Sequence, residues 1–286
     1  MDGILCPSGQ TWIQAMTLRK LGCLPARVQA RQPLLSGMRN FMARKAPPRL
    51  ARERIDPAPR MLGNDVLGDC TAAGIGNHIR ATAALAGYQI AVNTDNAVRF
   101  YARSTGYVPG HPQTDQGGVE VDVLATALRD GYALADQTLF PLWGSVDTGD
   151  LNGICNITAG LSAAYLGVRL AQADMWEDAT GNLARVWDAV TPASHGDPTP
   201  GSAGGHCLLL WDYDGTADTD LVTLLTWGSL QKATWRWLRS RLMEAHGLAW
   251  RQLLPGGILA PTGQDWDALV ASNEAYLTGM SSSIAR

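Results

Sequence analysis

The chain has 286 residues, enough for one large two-lobed domain or two domains of about 150 residues each. With 46% apolar and 17% charged residues, and no apolar run near the ~20 residues of a membrane span, disordered, collagen-like and transmembrane classes are excluded and no membrane partner is expected. The net charge of −3 conceals a split: residues 1–60 carry eleven Lys/Arg against three Asp/Glu, so the head is basic and the body acidic.

Residues 1–49 read as a basic N-terminal arm, with one short helical stretch near Thr11–Leu21, leading into a Pro/Arg-rich run that ends at Arg60. Such an arm either folds onto its own acidic body or reaches for another acidic protein surface; nucleic acid is a weaker third choice. We expect it to extend away, so that removing residues 1–45 leaves the body folded. Residues 50–286 then form the domain. Asp69 as N-cap opens a buried helix from Cys70 to Ala86, Thr94/Asp95 cap a second through Ala102, and Glu120–Leu128 makes a third, together a helical lobe over about 65–150. The period then changes. Ala163–Leu170, Cys207–Tyr213 and Leu221–Trp227 are short apolar runs bounded by turn residues, the last two joined as a hairpin. Thr234–His246 reads as an amphipathic helix and Leu248–Leu254 as a strand, completing a β-rich lobe over about 155–255 before a helical C-terminal tail.

The five cysteines, Cys6, Cys23, Cys70, Cys155 and Cys207, are odd in number and lack CxxC spacing, which argues against a disulfide framework and a zinc site and for a reducing compartment. The start Met-Asp-Gly lacks the apolar stretch of a secretory signal. His78, His111, His195 and His246 show no metal-ligand spacing, and no dinucleotide, phosphate-loop, serine-elbow or zinc-protease motif occurs, so neither cofactor nor metal is expected.

The densest motif is Met61-Leu-Gly-Asn-Asp-Val-Leu-Gly-Asp-Cys70-Thr, a Gly-rich loop that delivers a cysteine into the first turn of a helix, where free N–H groups and the dipole favour a thiolate. Gly204-Gly-His206-Cys places an imidazole at the mouth of a buried strand, 136 residues after Cys70 and within the ~130–150 expected of papain-type Cys/His pairs. Asn64, six residues before Cys70, is positioned to donate to an oxyanion beside the Cys70 N–H. An anionic Asp69 would raise the thiol pKa.

These residues together resemble the papain-like cysteine peptidases, in wording nearest a divergent bacterial and phage-encoded group, over roughly residues 50–255. Asn64 stands where that family has its oxyanion glutamine, Cys70 and His206 match nucleophile and base, Thr226-Trp227-Gly228 matches the end of Asn-Ser-Trp-Gly, and Gly117-Gly118 matches the glycines that pair with substrate backbone. The resemblance implies an α+β, papain-like two-lobed fold with the site in the cleft, Cys70, His206 and Asn64 as catalytic residues, and Gly117, Gly118 and Trp227 as substrate-binding residues. Leu225 falls at the position of the family's orienting asparagine, which leaves the imidazole without an orienter. Two functions are therefore expected: a thiol hydrolase cleaving a peptide or isopeptide bond in a peptide or protein substrate, cytoplasmic and not secreted; or a non-catalytic virion component that keeps the fold as a scaffold and whose arm contacts neighbouring virion subunits.

Overall fold

The computed structural model describes residues 19–178, 183, 186–250, 252–253 and 261–284. Most of the helical stretch expected at Thr11–Leu21 lies outside the described residues, and 19–21 carry no helix.

After a short helix α1 (Arg39–Met42), an extended run leads to the central helix α2 (Cys70–Leu85), of which thirteen residues are buried. Burial on all sides explains its Ala/Gly composition: a Cβ on Gly74 would meet Cys207 Sγ at 2.8 Å and one on Gly76 would meet Leu62 at 2.7 Å, so the helix can approach its neighbours closely. Asp69 stands at the N-cap position without capping through its side chain. Helix α3 (Thr94–Thr105) is capped by Asn93 in a reciprocal box with Asn96, one residue earlier than the expected Thr94/Asp95. Helix α4 (Glu120–Asp130) closes at Gly131, whose φ of 71° suits glycine.

A hairpin of β1 (Tyr132–Ala133) and β2 (Thr138–Leu139) precedes β3 (Pro141–Val146), helix α5 (Leu151–Gly160) and β4 (Ala164–Leu170). Then come β5 (Val186–Trp187), β6 (Gly204–Tyr213), β7 (Leu221–Thr226), β8 (Ser229–Thr234), helix α6 (Trp235–Arg241), β9 (Leu242–Trp250) and helix α7 (Gly263–Ile284). The main sheet has the order β3-β9-β4-β6-β7-β8-β5, and only the β5–β8 pair is parallel. The helix expected at Thr234–His246 stops at Arg241, and the following strand starts six residues early. Residues 242–250 are needed between β3 and β4, and that pairing overrides the local helical spacing. One core lies between the sheet and α2, α3 and α4; a second lies behind the sheet, around Leu166, Leu210, Trp187, Trp235 and Trp237.

The arm does not extend away. Leu35, Met38 and Phe41 are fully buried in the second core, Pro33 O accepts from Ser145 N at 2.9 Å, and Leu50 pairs with Tyr213. Its basic residues meet this chain's own acids: Arg19 with Glu177, Arg27 with Asp122, and Arg49 with Asp214 at 3.8 Å. Arg52 is buried beneath the domain, its guanidinium over the Trp211 ring at 4.6 Å and donating to carbonyls of Thr158, Ser162 and Trp211. Removing residues 1–45 would therefore strip part of the core. Among the described residues no helix is long and apolar enough to cross a membrane.

Candidate active site

The loop before α2 is built as a scaffold for Cys70. Asp115 takes the Gly68 N–H on both carboxylate oxygens at 3.1 Å and accepts from the Tyr101 hydroxyl at 2.6 Å. The same hydroxyl accepts from Gly117 N at 2.9 Å, so the Asp115-Gln-Gly-Gly turn and the loop before Cys70 are fastened to one tyrosine. Cys70 is the first residue of α2 and is 2% exposed. Burial pushes its thiol up to about 12; backbone N–H groups of Cys207 and Gly22 face the sulfur and favour thiolate, while Asp69 and Glu120 oppose it. The helix N-terminus thus does not by itself give a thiolate in this form. Asp69 is itself held well above the usual carboxylate range by burial and by Asp115, and neither of its oxygens has a hydrogen-bond partner among the described residues.

His206 stands on β6, next to the Cys207 N–H that faces the thiol. Its Nε2 is 2.7 Å from Thr226 Oγ1, its ring stacks on Trp227 with centroids 4.0 Å apart, and its Nδ1 has no hydrogen-bond partner among the described residues. Burial lowers its pKa to about 3. The orienting group is therefore Thr226. Leu225 points into the core instead, because adjacent strand residues face opposite sides of a sheet. Trp227 and Gly228 form the two-residue β7–β8 turn with φ of 45° and 70°, the positive values a type I′ hairpin requires, and this turn brings the indole over the imidazole.

Asn64 is buried, and its amide donates to Leu67 O at 3.0 Å within its own loop. In this conformation it is not free for an oxyanion. Of the two glycines, Gly118 offers its backbone, whereas Gly117, at φ 78°, leaves room: a Cβ there would lie 2.2 Å from Gly22 O.

What occupies that room is the chain's own N-terminal segment. Gly118 N donates to Gly22 O at 2.8 Å and Leu24 N to Gly118 O at 3.0 Å, a parallel bridge centred on Cys23, while Gly22 N and Cys23 N both donate to Gly205 O at 3.2 and 3.1 Å. Lys20 N donates to Asn64 O at 2.9 Å, and Trp227 Nε1 to Lys20 O at 3.1 Å. Residues 20–24 run between the two lobes across Cys70. Spacing arguments missed this, since backbone pairing leaves no side-chain pattern; the one local trace is the set of glycines, Gly22, Gly68, Gly117 and Gly205, that admit the close approach.

No protein-family model matches the chain, and no curated protein matches it in sequence. Solved structures do. Xylellain, a cysteine protease from Xylella fastidiosa, superposes with a TM-score of 0.57 at 14% identity, covering 84% of this chain and 99% of that one. Procathepsin L2 from the larval midgut of Tenebrio molitor superposes with a TM-score of 0.51 at 13% identity, covering 86% and 83%. At such identities the likeness concerns architecture, and together with the lobes and sheet described above it shows that this chain has the papain-like fold.

Proposed function

We propose that the protein is a papain-like thiol hydrolase acting on peptide or isopeptide bonds, held latent by its own residues 19–24. The observation that carries this reading is the pairing of residues 22–24 with Gly118 on one side and Gly205 on the other, across Cys70: the cleft holds an extended peptide by its backbone.

In the reaction, Cys70 Sγ attacks the scissile carbonyl carbon, its proton passes to His206 Nδ1, and the resulting imidazolium protonates the departing amine. Water, deprotonated by the same imidazole, then hydrolyses the thioester and regenerates the thiol. Thr226 fixes the tautomer, taking Nε2–H so that Nδ1 carries the lone pair, and the Trp227 ring keeps water off that hydrogen bond. The Cys70 N–H, one of the first-turn donors that no helix carbonyl can satisfy, serves the oxyanion; Asn64 joins it once its amide leaves Leu67 O. Trp227 and Gly118 line the substrate track. In the closed form thiol and imidazole are both neutral, so departure of the segment must admit water and substrate before the pair can form.

The test is a variant lacking residues 1–25, which spares the buried Leu35, Met38 and Phe41. It should hydrolyse a generic activated peptide ester, and Cys70→Ser or His206→Ala should abolish turnover. A folded truncated form without turnover would refute the hydrolase and leave the fold as a scaffold.

A further inference from the structure

Beneath the segment, four side chains from three distant stretches of sequence converge, Glu244 and His246 both standing on β9. Cys23 Sγ is 3.8 Å from Glu120 Oε1, and donor atoms of Cys23, Glu120 and Glu244 all lie within 4.8 Å of one another. His246 Nε2 is 3.5 Å from Glu120 Oε2 and 3.2 Å from Glu244 Oε2. All four residues are buried, at 5%, 0%, 8% and 1% exposure, and Glu120 Oε2 and Glu244 Oε1 have no hydrogen-bond partner among the described residues. Two carboxyl groups side by side in the interior, short of donors, must share a proton or a cation.

We propose that Cys23, Glu120, Glu244 and His246 bind one zinc-class divalent cation, and that this ion staples the segment into the cleft. The site stands on its own residues; its role as a latch rests on the hydrolase reading above. Three details support the ion. Metal–ligand bonds of about 2.0–2.3 Å in a tetrahedron separate neighbouring ligand atoms by roughly 3.3–3.8 Å; Cys23 to Glu120 Oε1 at 3.8 Å, His246 to Glu120 Oε2 at 3.5 Å and His246 to Glu244 Oε2 at 3.2 Å lie in or near that range, and a small turn of the Glu120 carboxyl would present one oxygen to the ion. His246 Nδ1 lies 2.9 Å from Ser145 Oγ, which accepts from Gln32 Nε2 at 2.5 Å; in the tautomer that donates Nδ1–H to Ser145, Nε2 turns its lone pair towards the carboxyl groups, as a metal ligand must. Space is left by Gly167, where a Cβ would sit 2.9 Å from Glu244 Cγ and 3.2 Å from the Glu120 carboxyl. A thiol and an imidazole in the set select a borderline cation over Ca²⁺ or Mg²⁺, which take oxygen ligands. Binding displaces the Cys23 thiol proton and any proton held by the carboxyls into solvent. Two further thiols, Cys70 and Cys207, are near enough to interact with Cys23 and Glu120, so the ligand set has to be distinguished from a three-thiol one.

Cobalt titration of the full chain provides the test. One equivalent of Co²⁺ should bring up a thiolate-to-cobalt charge-transfer band and the visible bands of a tetrahedral site, reversed by Zn²⁺ and not by Mg²⁺ or Ca²⁺. Cys23→Ser should lose the charge-transfer band, and Glu244→Gln, a near-isosteric change, should weaken binding at least tenfold; Cys70→Ser and Cys207→Ser should keep both. Absence of any band in the full chain, a band that survives Cys23→Ser, or one lost in Cys70→Ser overturns the site. These readouts require no turnover. With the band established, chelation should raise alkylation of Cys70 at least tenfold; unchanged alkylation overturns the latch.

Discussion

Replacing Gly22 by alanine tests occlusion of the cleft without altering any residue of the cleft itself. An added Cβ would lie 1.9 Å from Gly68 O and 2.4 Å from Gly68 C, and that backbone cannot give way because Asp115 holds the Gly68 N–H. The segment must retreat by roughly 1.5 Å to reach van der Waals contact, enough to break hydrogen bonds of 2.8–3.2 Å. The bonds nearest the change are Gly22 N and Cys23 N to Gly205 O, and Gly118 N to Gly22 O. At about 1 kcal/mol net each, their loss shifts closing by about 3 kcal/mol, and at 1.4 kcal/mol per decade the open population rises about a hundredfold. The assay is the second-order rate of iodoacetamide alkylation at Cys70, resolved by mass spectrometry with buried Cys155 and Cys207 as internal references. The expected gain is about two orders of magnitude at neutral pH, because opening both uncovers the thiol and removes the burial that holds its pKa near 12. If hydrogen exchange shows residues 19–24 released while Cys70 alkylation stays within twofold of the parent, the segment does not guard the thiol.

In the truncated form, Thr226→Val should lower kcat/KM for an activated ester by at least tenfold while Thr226→Ser retains it, since only the hydroxyl fixes the imidazole; equal rates would remove Thr226 from the site. Leu225→Asn should not rescue activity but should destabilise the fold by about 1–3 kcal/mol in urea titrations, by burying an unpaired amide in the core. Arg52→Met, which leaves three carbonyls without their donor, should cost about 3 kcal/mol, and a loss below 1 kcal/mol would refute that role. Acid should weaken the fold through His78, whose Nδ1 accepts from Trp250 Nε1 at 3.0 Å and whose Nε2 lies 3.1 Å from Ala163 O. Burial lowers its pKa from 6.5 to about 4, so the unfolded chain binds a proton that the folded one refuses, and stability falls as pH drops from 6.5 towards 4 by about 3 kcal/mol. His206 acts in the same sense, and a flat stability profile across that window, from denaturant titrations at several pH values, would contradict both assignments.

Much of the fold was legible because its signals are local. The Gly-rich loop and apolar run predicted a buried helix starting at Cys70, the Gly-Gly-His-Cys stretch placed His206 at the mouth of a strand, and short apolar runs bounded by turn residues predicted β4, β6 and β7. Residues 242–246 misled because their spacing suits a helix, and only the gap between β3 and β4 makes them part of a strand. Counting back from Trp227 put Leu225 beside the imidazole, whereas the alternation of β7 faces Thr226 towards it. The N-terminal segment was read as a free arm from its charge and prolines, but whether such a chain leaves or returns depends on the surface it meets, here the backbones of Gly118 and Gly205 and the acids of its own domain. Of Cys23, Glu120, Glu244 and His246, only the last two are linked by spacing, two apart on one face of β9. They become neighbours because the segment, α4 and β9 are packed together around β4, where Gly167 leaves room, so tertiary structure alone decided that juxtaposition.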